Sequence, residues 1–147
     1  MKKLLLTIVS TFAFTAAAIA GESGWLTDYE AAKKQAKEEG KPILLNFTGT
    51  DWCGWCIKIE KEIFSKEEFK AYAKEHLVLM EVDFPEKKKQ SDEVKAQNKA
   101  LDKEFKIEGY PTIFLIDAEG KKLSEDIGYR QGGSQAYVEH IKSLLKK

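Results

Sequence analysis

The stretch from Pro42 to Phe64 most constrains the fold of this chain. The apolar run Pro42–Phe47 has the length and composition of a buried strand. Cys53 and Cys56 follow it, and they are the only two cysteines among the 147 residues. The apolar positions of Ile57–Phe64 then predict a helix. This order places Cys53 at a helix N-terminus, where unpaired backbone N–H groups and the helix dipole favour a thiolate over a thiol.

The spacing of the two cysteines favours thiol–disulfide exchange. A thiolate attacks a disulfide, and a second sulfur close by can then expel the bound partner. A purely structural disulfide gains little from so short a loop. Zinc would need further ligands, and the only two histidines, His76 and His140, are not clustered with the pair. Covalent haem would need a histidine where Ile57 stands, so it is excluded. Two inert, buried cysteines remain an alternative.

Residues 1–20 have the pattern of a cleaved secretory signal peptide. Lys2-Lys3 supply the positive start, Leu4–Ala18 forms the apolar stretch, and Ala18-Ile19-Ala20 fits the small-x-small cleavage pattern. We therefore expect a mature protein that begins near Gly21 and lies in the periplasm, with secretion as a further possibility. A retained anchor is disfavoured because the apolar stretch is short for a spanning helix. Outside the cytoplasm, disulfides form and persist.

The remaining residues, 21–147, have the length of a single domain. Without Lys2 and Lys3, 22 basic residues face 24 acidic ones, a formal charge of −2. This balance predicts neither a nucleic-acid partner nor binding to an anionic membrane after signal cleavage. We expect a monomer.

Helical and strand patterns alternate along the mature chain. Capping-box patterns begin at Thr27 and Ser65, so Cys53–Glu75 should form a bent or two-part helix. In chain order the sequence predicts a helix ending at Gly40, strand Pro42–Phe47, the bent helix, strand Leu77–Val82, a polar and basic loop Phe84–Ser91, helix Asp92–Phe105, strand Thr112–Asp117, strand Lys121–Tyr129 and a last helix after Gly133. The loop favours solvation over docking to an acidic partner. Helices between strands imply parallel pairing, and the closing hairpin adds antiparallel strands, with helices on both sheet faces.

Two motifs together resemble the thioredoxin superfamily. One is Trp52-Cys53-Gly54-Trp55-Cys56 between a strand and a helix, and the other is Gly109-Tyr110-Pro111-Thr112 before a strand. The resemblance covers Trp25–Lys147 and implies an α/β protein, a thioredoxin-like three-layer α/β/α sandwich with a mixed four- to five-stranded sheet. Within the superfamily, the segments around Thr50–Cys53 and Glu60–Phe64 are most similar to the C-terminal periplasmic domain of the transmembrane reductase DsbD and to small exported oxidoreductases.

The resemblance implies a role for each residue of these motifs. Cys53 would be the exposed nucleophile and Cys56 the buried resolving thiol. Pro111 would form a cis peptide bond facing the cysteines, so that the Tyr110 backbone pairs with a substrate strand and metal is kept away; an ordinary trans proline is the alternative. Trp55 and Tyr110 are candidate substrate contacts. Trp52 flanks the sulfurs as well, and packing is the role favoured for it.

The sequence departs from the thioredoxin pattern at two places. Thioredoxins carry a buried Asp before the motif that assists proton removal from the resolving thiol, and Asn46 stands at the nearest position here. Release of the Cys56 proton would then rely on water or on another carboxylate, and Asp51 and Glu60 are the candidate proton-transfer residues. Gly54-Trp55 replaces the thioredoxin Gly-Pro, and a charge on Asp51 would raise the pKa of Cys53. We therefore predict a protein more reducing than the strong oxidant DsbA.

The sequence predicts a periplasmic thiol–disulfide oxidoreductase that reduces protein disulfides through Cys53 and Cys56, with no cofactor and no metal. Its partners would be disulfide-containing substrate proteins and a membrane reductase of the DsbD type as electron donor. A disulfide isomerase or oxidase is the nearest alternative. The alternative from another class is a non-catalytic binding module that uses Trp55, Tyr110 and the Lys87–Lys89 loop.

Overall fold

The computed structural model describes residues 24–146, so the signal-peptide prediction falls outside the described residues. In chain order the elements are α1 Tyr29–Glu39, β1 Ile43–Thr48, α2 Gly54–Ile59, a π-helical segment Glu60–Phe64, α3 Glu67–His76, β2 Val78–Asp83, α4 Asp92–Phe105, β3 Thr112–Ile116 and α5 Gly133–Leu145. The predicted order through the third strand is confirmed, and so is the bent helix after Cys53. None of the helices in this described part has the length and apolar character needed to cross a bilayer.

The sheet has the strand order β2-β1-β3 and is mixed, as predicted. β1 and β2 run parallel, with Asn46 beside Glu81 in the register. β1 and β3 run antiparallel, with Phe47 beside Thr112. The carboxyl end of β1 therefore lies next to the amino end of β3, and the loop that leads to Cys53 starts from this end of the strands.

Alternate residues of the strands build two separate cores. On one face, Leu44 and Leu115 belong to a cluster with residues of α2, the π-helical segment, α3 and α5. On the other face, Leu45 and Phe114 belong to a cluster with residues of α1 and α4. Both faces of the sheet are thus covered by helices, and the predicted three-layer α/β/α arrangement is confirmed.

The predicted fourth strand, Lys121–Tyr129, is wrong: the sheet of the described residues has three strands. The segment does run beside β3, since the N–H of Leu123 donates to Leu115 O at 2.7 Å. The N–H groups of Ile113 and Leu115, in contrast, donate to side chains of the segment. Ser124 Oγ accepts from the N–H of Leu115 at 2.9 Å, and Asp126 Oδ1 accepts from the N–H of Ile113 at 2.8 Å. Because these polar side chains take the place of carbonyl groups, the segment covers the edge of β3 without becoming a regular strand.

The two predicted capping boxes are also placed differently. Asp28, one residue after Thr27, caps α1 by accepting from the N–H of Ala31 at 2.8 Å. The residue that precedes α3 is Lys66, with no side-chain cap. Ser65 has helical backbone angles and ends the preceding π-helical segment, and its hydroxyl donates to Lys61 O at 3.1 Å, so the extended Lys66 is the residue from which α3 begins.

Candidate active site

The two cysteines form a disulfide at the start of α2. Their Cα atoms are 5.2 Å apart. Cys53 is the residue that caps α2, and its Sγ accepts from the N–H of Cys56 at 3.2 Å. A backbone donor directed at Cys53 Sγ stabilises negative charge there once the pair is reduced. The arrangement is therefore suited to a thiolate at Cys53.

Both cysteines are largely buried in this disulfide form. Cys53 is 6% exposed and Cys56 is 3% exposed. The predicted burial of Cys56 is confirmed. The prediction of an exposed Cys53 is wrong for this disulfide form, because the residue is buried. The exposed residues beside it are Trp52 and Trp55.

Hydrogen bonds at the ends of β1 and β2 fix the loop before Cys53. The carbonyl of Gly49 accepts from the N–H of Cys53 at 2.9 Å. The carboxylate of Asp83, the last residue of β2, accepts from the N–H and the hydroxyl of Thr50 at 2.9 and 2.7 Å. Asp83 is buried, so these bonds are shielded from competing water. The sheet thereby holds the first cysteine in place.

Asp51 fastens the loop after β2 to this same region. Its carboxylate accepts from the N–H groups of Glu86, Lys87 and Lys88 at 2.9, 2.8 and 2.9 Å. These backbone donors, chiefly that of Glu86, lower the pKa of Asp51 below its ordinary value. A carboxylate with three donors and a lowered pKa is a poor proton acceptor near neutral pH. This geometry favours a loop-fixing role over the predicted proton transfer.

The aromatic side chains around the disulfide are partly packed and partly exposed. Trp52 Nε1 donates to the carbonyl of Phe84 at 2.7 Å. The rings of Trp52 and Tyr110 pack edge to face, with 5.9 Å between their centroids. Trp52 is nevertheless 42% exposed, so packing alone does not describe it. Trp55 is 57% exposed, and its ring lies tilted by 48° to that of Tyr129, with 5.5 Å between the ring centroids. Apolar surface is therefore available on both sides of the cysteines.

The Tyr110–Pro111 peptide bond is cis, as predicted. Pro111 directly precedes β3, whose first residue, Thr112, pairs with Phe47 near the end of β1. The cis bond thus lies at the same end of the strands from which the loop to Cys53 starts. The hydroxyl of Tyr110 donates to Asp102 Oδ1 at 3.3 Å. Burial, followed by the charge of Asp102, raises the pKa of Tyr110 to about 12.

A cleft of about 470 Å³ lies against Cys56. Its polar lining includes Asn46, Glu60, Glu81 and Lys88. Burial raises the pKa of Glu60 above its ordinary value. The cleft therefore brings a predicted proton-transfer residue, Glu60, to the same cavity as the resolving cysteine.

Glu81 is the cleft residue that the sequence did not reveal. It lies in β2, within the stretch Leu77–Val82, whose apolar character predicts only a strand. Burial, together with the negative charges of Asp83 and Glu60, raises the pKa of Glu81 to about 7. The available signal was that Glu81 is the only charged residue of that stretch.

Three features together define the class of thioredoxin-fold thiol–disulfide oxidoreductases. They are a mixed sheet between helical layers, a Cys-x-x-Cys disulfide at a helix start and a cis-proline before an antiparallel strand. The chain belongs to the thioredoxin-like family, since the family model for the thioredoxin-like domain matches residues 29–139. It is an oxidoreductase of this class.

Proteins named for disulfide chemistry are similar to this chain. Disulfide bond reductase DsbH of Chlamydia pneumoniae is 46% identical over 118 residues, which are 80% of this chain and 70% of that protein. Thiol:disulfide interchange protein DsbD of Pseudoalteromonas atlantica is 30% identical over 82% of this chain, which spans only 19% of that longer protein. The solved structure of a DsbH oxidoreductase matches with a TM-score of 0.79 and 40% identity, covering 97% of this chain and 95% of that one.

Proposed function

We propose that the protein is a periplasmic reductant of protein disulfides. The observation that carries the exchange chemistry is the N–H of Cys56, which points at Cys53 Sγ where α2 begins. This donor and the helix start favour a thiolate at Cys53 near neutral pH. The similarity to the protein named disulfide bond reductase DsbH supports the direction of electron flow.

The proposed cycle uses only the two sulfurs for bond making and breaking. The Cys53 thiolate attacks a substrate disulfide, forms a mixed disulfide and releases one substrate thiolate. Cys56, after losing its proton, attacks Cys53 Sγ, so the second substrate thiolate leaves and the Cys53–Cys56 disulfide remains. That disulfide is the form present in the structure. No cofactor or metal takes part in these steps.

The proposed substrate-binding surface consists of Trp52, Trp55, Tyr110 and Pro111. The two tryptophans are the exposed apolar groups next to Cys53, and each has one ring face or edge held by a neighbour. Rigid, half-packed aromatic rings bind a partner with little loss of side-chain entropy. The backbone at Tyr110 would pair with an extended substrate segment, in the manner of an added strand.

The proposal includes a compartment and an electron donor. Cleavage of residues 1–20 would release a monomeric domain, 21–147, into the periplasm. Each turnover leaves the enzyme oxidised, so a membrane reductase of the DsbD type would have to restore the dithiol. The similarity of this chain to part of DsbD supports a partner from the same redox chain.

Reduction of insulin disulfides tests the proposal. The purified mature domain should accelerate insulin reduction by dithiothreitol, and Cys53→Ser and Cys56→Ser variants should not. Unchanged acceleration by both variants would overturn the cysteine mechanism. The redox potential decides direction: a value near the thioredoxin potential of about −270 mV supports a reductant, and one near about −120 mV supports an oxidase instead.

A further inference from the structure

The resolving step requires a base near Cys56. Cys56 is only 3% exposed, so bulk water has little access to its thiol. An unperturbed thiol has a pKa of about 8.5, so most of it is protonated at neutral pH. Asn46 faces this region from β1, but an amide cannot accept the proton. The group that removes it must therefore come from another element.

Glu81 of β2 occupies the place that meets this requirement. It is the register neighbour of Asn46 in the parallel β1–β2 pair, so the two side chains project from the same face of the sheet. Glu81, Asn46 and Cys56 line the same cleft. Asn46 Oδ1 is buried and has no hydrogen-bond partner among the described residues. A protonated Glu81 would offer that oxygen a donor.

We propose that Glu81 exchanges a proton with Cys56 Sγ across this cleft, as acceptor when Cys56 resolves a mixed disulfide and as donor when the Cys53–Cys56 disulfide is reduced. The proposal rests on the proposed function, which makes Cys56 the resolving thiol.

The proposed transfer balances in both directions. During resolution the proton leaves Cys56 for the Glu81 carboxylate, the S–S bond between Cys53 and the substrate breaks, and the Cys53–Cys56 bond forms. The substrate leaves as a thiolate and takes a proton from solvent. During reduction, a thiolate of the donor dithiol attacks Cys53 Sγ and forms a mixed disulfide, the bond between Cys53 and Cys56 breaks, and the Cys56 thiolate takes the proton back from Glu81. The donor's second thiol then releases Cys53 and leaves the donor as a disulfide.

The charges around Glu81 suit a group that both gives and takes a proton. Asp83 on its own strand and Glu60 on the π-helical segment raise its pKa, in addition to burial, and Lys88 of the loop after β2 lowers it. Lys61 of the π-helical segment also lines the cleft. With a pKa of about 7, Glu81 is present in both protonation states near neutral pH.

Stopped-flow reaction of the reduced protein with dithiobis-nitrobenzoate tests this proposal, because each sulfur's attack releases one coloured thiolate. The first phase reports attack by Cys53 and the second reports resolution by Cys56. In the wild type, the second phase should accelerate as pH rises through about 7. Glu81→Gln should slow the second phase about tenfold or more at neutral pH and remove that inflection, leaving the first phase unchanged. Glu81→Asp, which keeps a carboxyl group but places it differently in the cleft, should retain an inflection at a shifted pH.

The controls separate Glu81 from its neighbours and from the cysteines. Glu75→Gln removes an exposed carboxylate on α3 outside the cleft and should change neither phase. A second phase in Glu81→Gln that keeps the wild-type rate and inflection would overturn the proposal. The proposal would also be overturned if the inflection disappeared in Glu60→Gln but remained in Glu81→Gln. If Glu81→Gln does not fold, an unshifted inflection in Glu81→Asp overturns it as well. Absence of a first phase in the wild type would instead contradict the proposed nucleophile.

Discussion

At the scale of single residues, the position of Trp52 depends on the missing side chain of Gly49. A Cβ atom placed on Gly49 would lie between 2.5 and 2.8 Å from three atoms of the Trp52 indole. The same indole donates to the carbonyl of Phe84. Gly49 itself binds the N–H of Cys53 through its carbonyl. One glycine therefore links the loop, the aromatic surface and the first cysteine.

Gly49→Ala should destabilise the oxidised protein by about 1–3 kcal/mol, because the added methyl forces the indole or the loop to move. The fluorescence of the protein should change as the Trp52 environment changes. Urea unfolding followed by circular dichroism measures the first effect. Gly54→Ala is the matched control, since nothing lies within 4 Å of a Cβ at Gly54, and it should unfold near the wild-type midpoint. Equal midpoints for both variants would mean that the indole moves without cost.

At the scale of elements, the sequence predicted the positions of helices and strands, because each depends mainly on the residues of its own segment. Apolar runs located all three strands, and the helix Asp92–Phe105 has the predicted bounds. The sequence did not predict the contacts that depend on which residues become neighbours across the sheet. Ser124 and Asp126 pair with β3 through side chains, which a period-two pattern cannot reveal. Glu81 became a site residue only because the register sets it beside Asn46.

Asp126→Ala should detach the segment that covers β3. The Asp126 carboxylate accepts from the N–H of Ile113 at 2.8 Å and from that of Gly128 at 3.0 Å. Removing it leaves two backbone donors without a protein acceptor and should destabilise the protein by about 1–3 kcal/mol. Hydrogen exchange at the Ile113 amide measures the local effect. Asp126→Asn keeps an acceptor oxygen and should retain most of the protection; equal exchange in wild type and Asp126→Ala would show that the bond does not hold the edge.

At the scale of the whole molecule, stability and redox chemistry are linked. Disulfide formation and folding form a closed thermodynamic cycle, so a folded state that favours the disulfide makes the pair more reducing than it is in the unfolded chain. For a two-electron couple, about 30 mV of potential corresponds to about 1.4 kcal/mol of stability. The strong oxidant DsbA is the opposite case, because its reduced form is the stabilised one. The direction of the proposed function can therefore be measured without any substrate.

If the protein is a reductant, its oxidised form should be more stable to urea than its reduced form. Reduction leaves the Cys56 sulfur without its partner against a cleft that is also lined by Glu60 and Glu81. Negative charge gathered in a half-buried site raises the free energy of the folded reduced state. Unfolding midpoints with and without a phosphine reductant measure the difference, and a Cys53→Ser/Cys56→Ser double variant, which has no disulfide, should give the same midpoint under both conditions. A reduced form that is the more stable one would contradict the proposed direction and favour an oxidase.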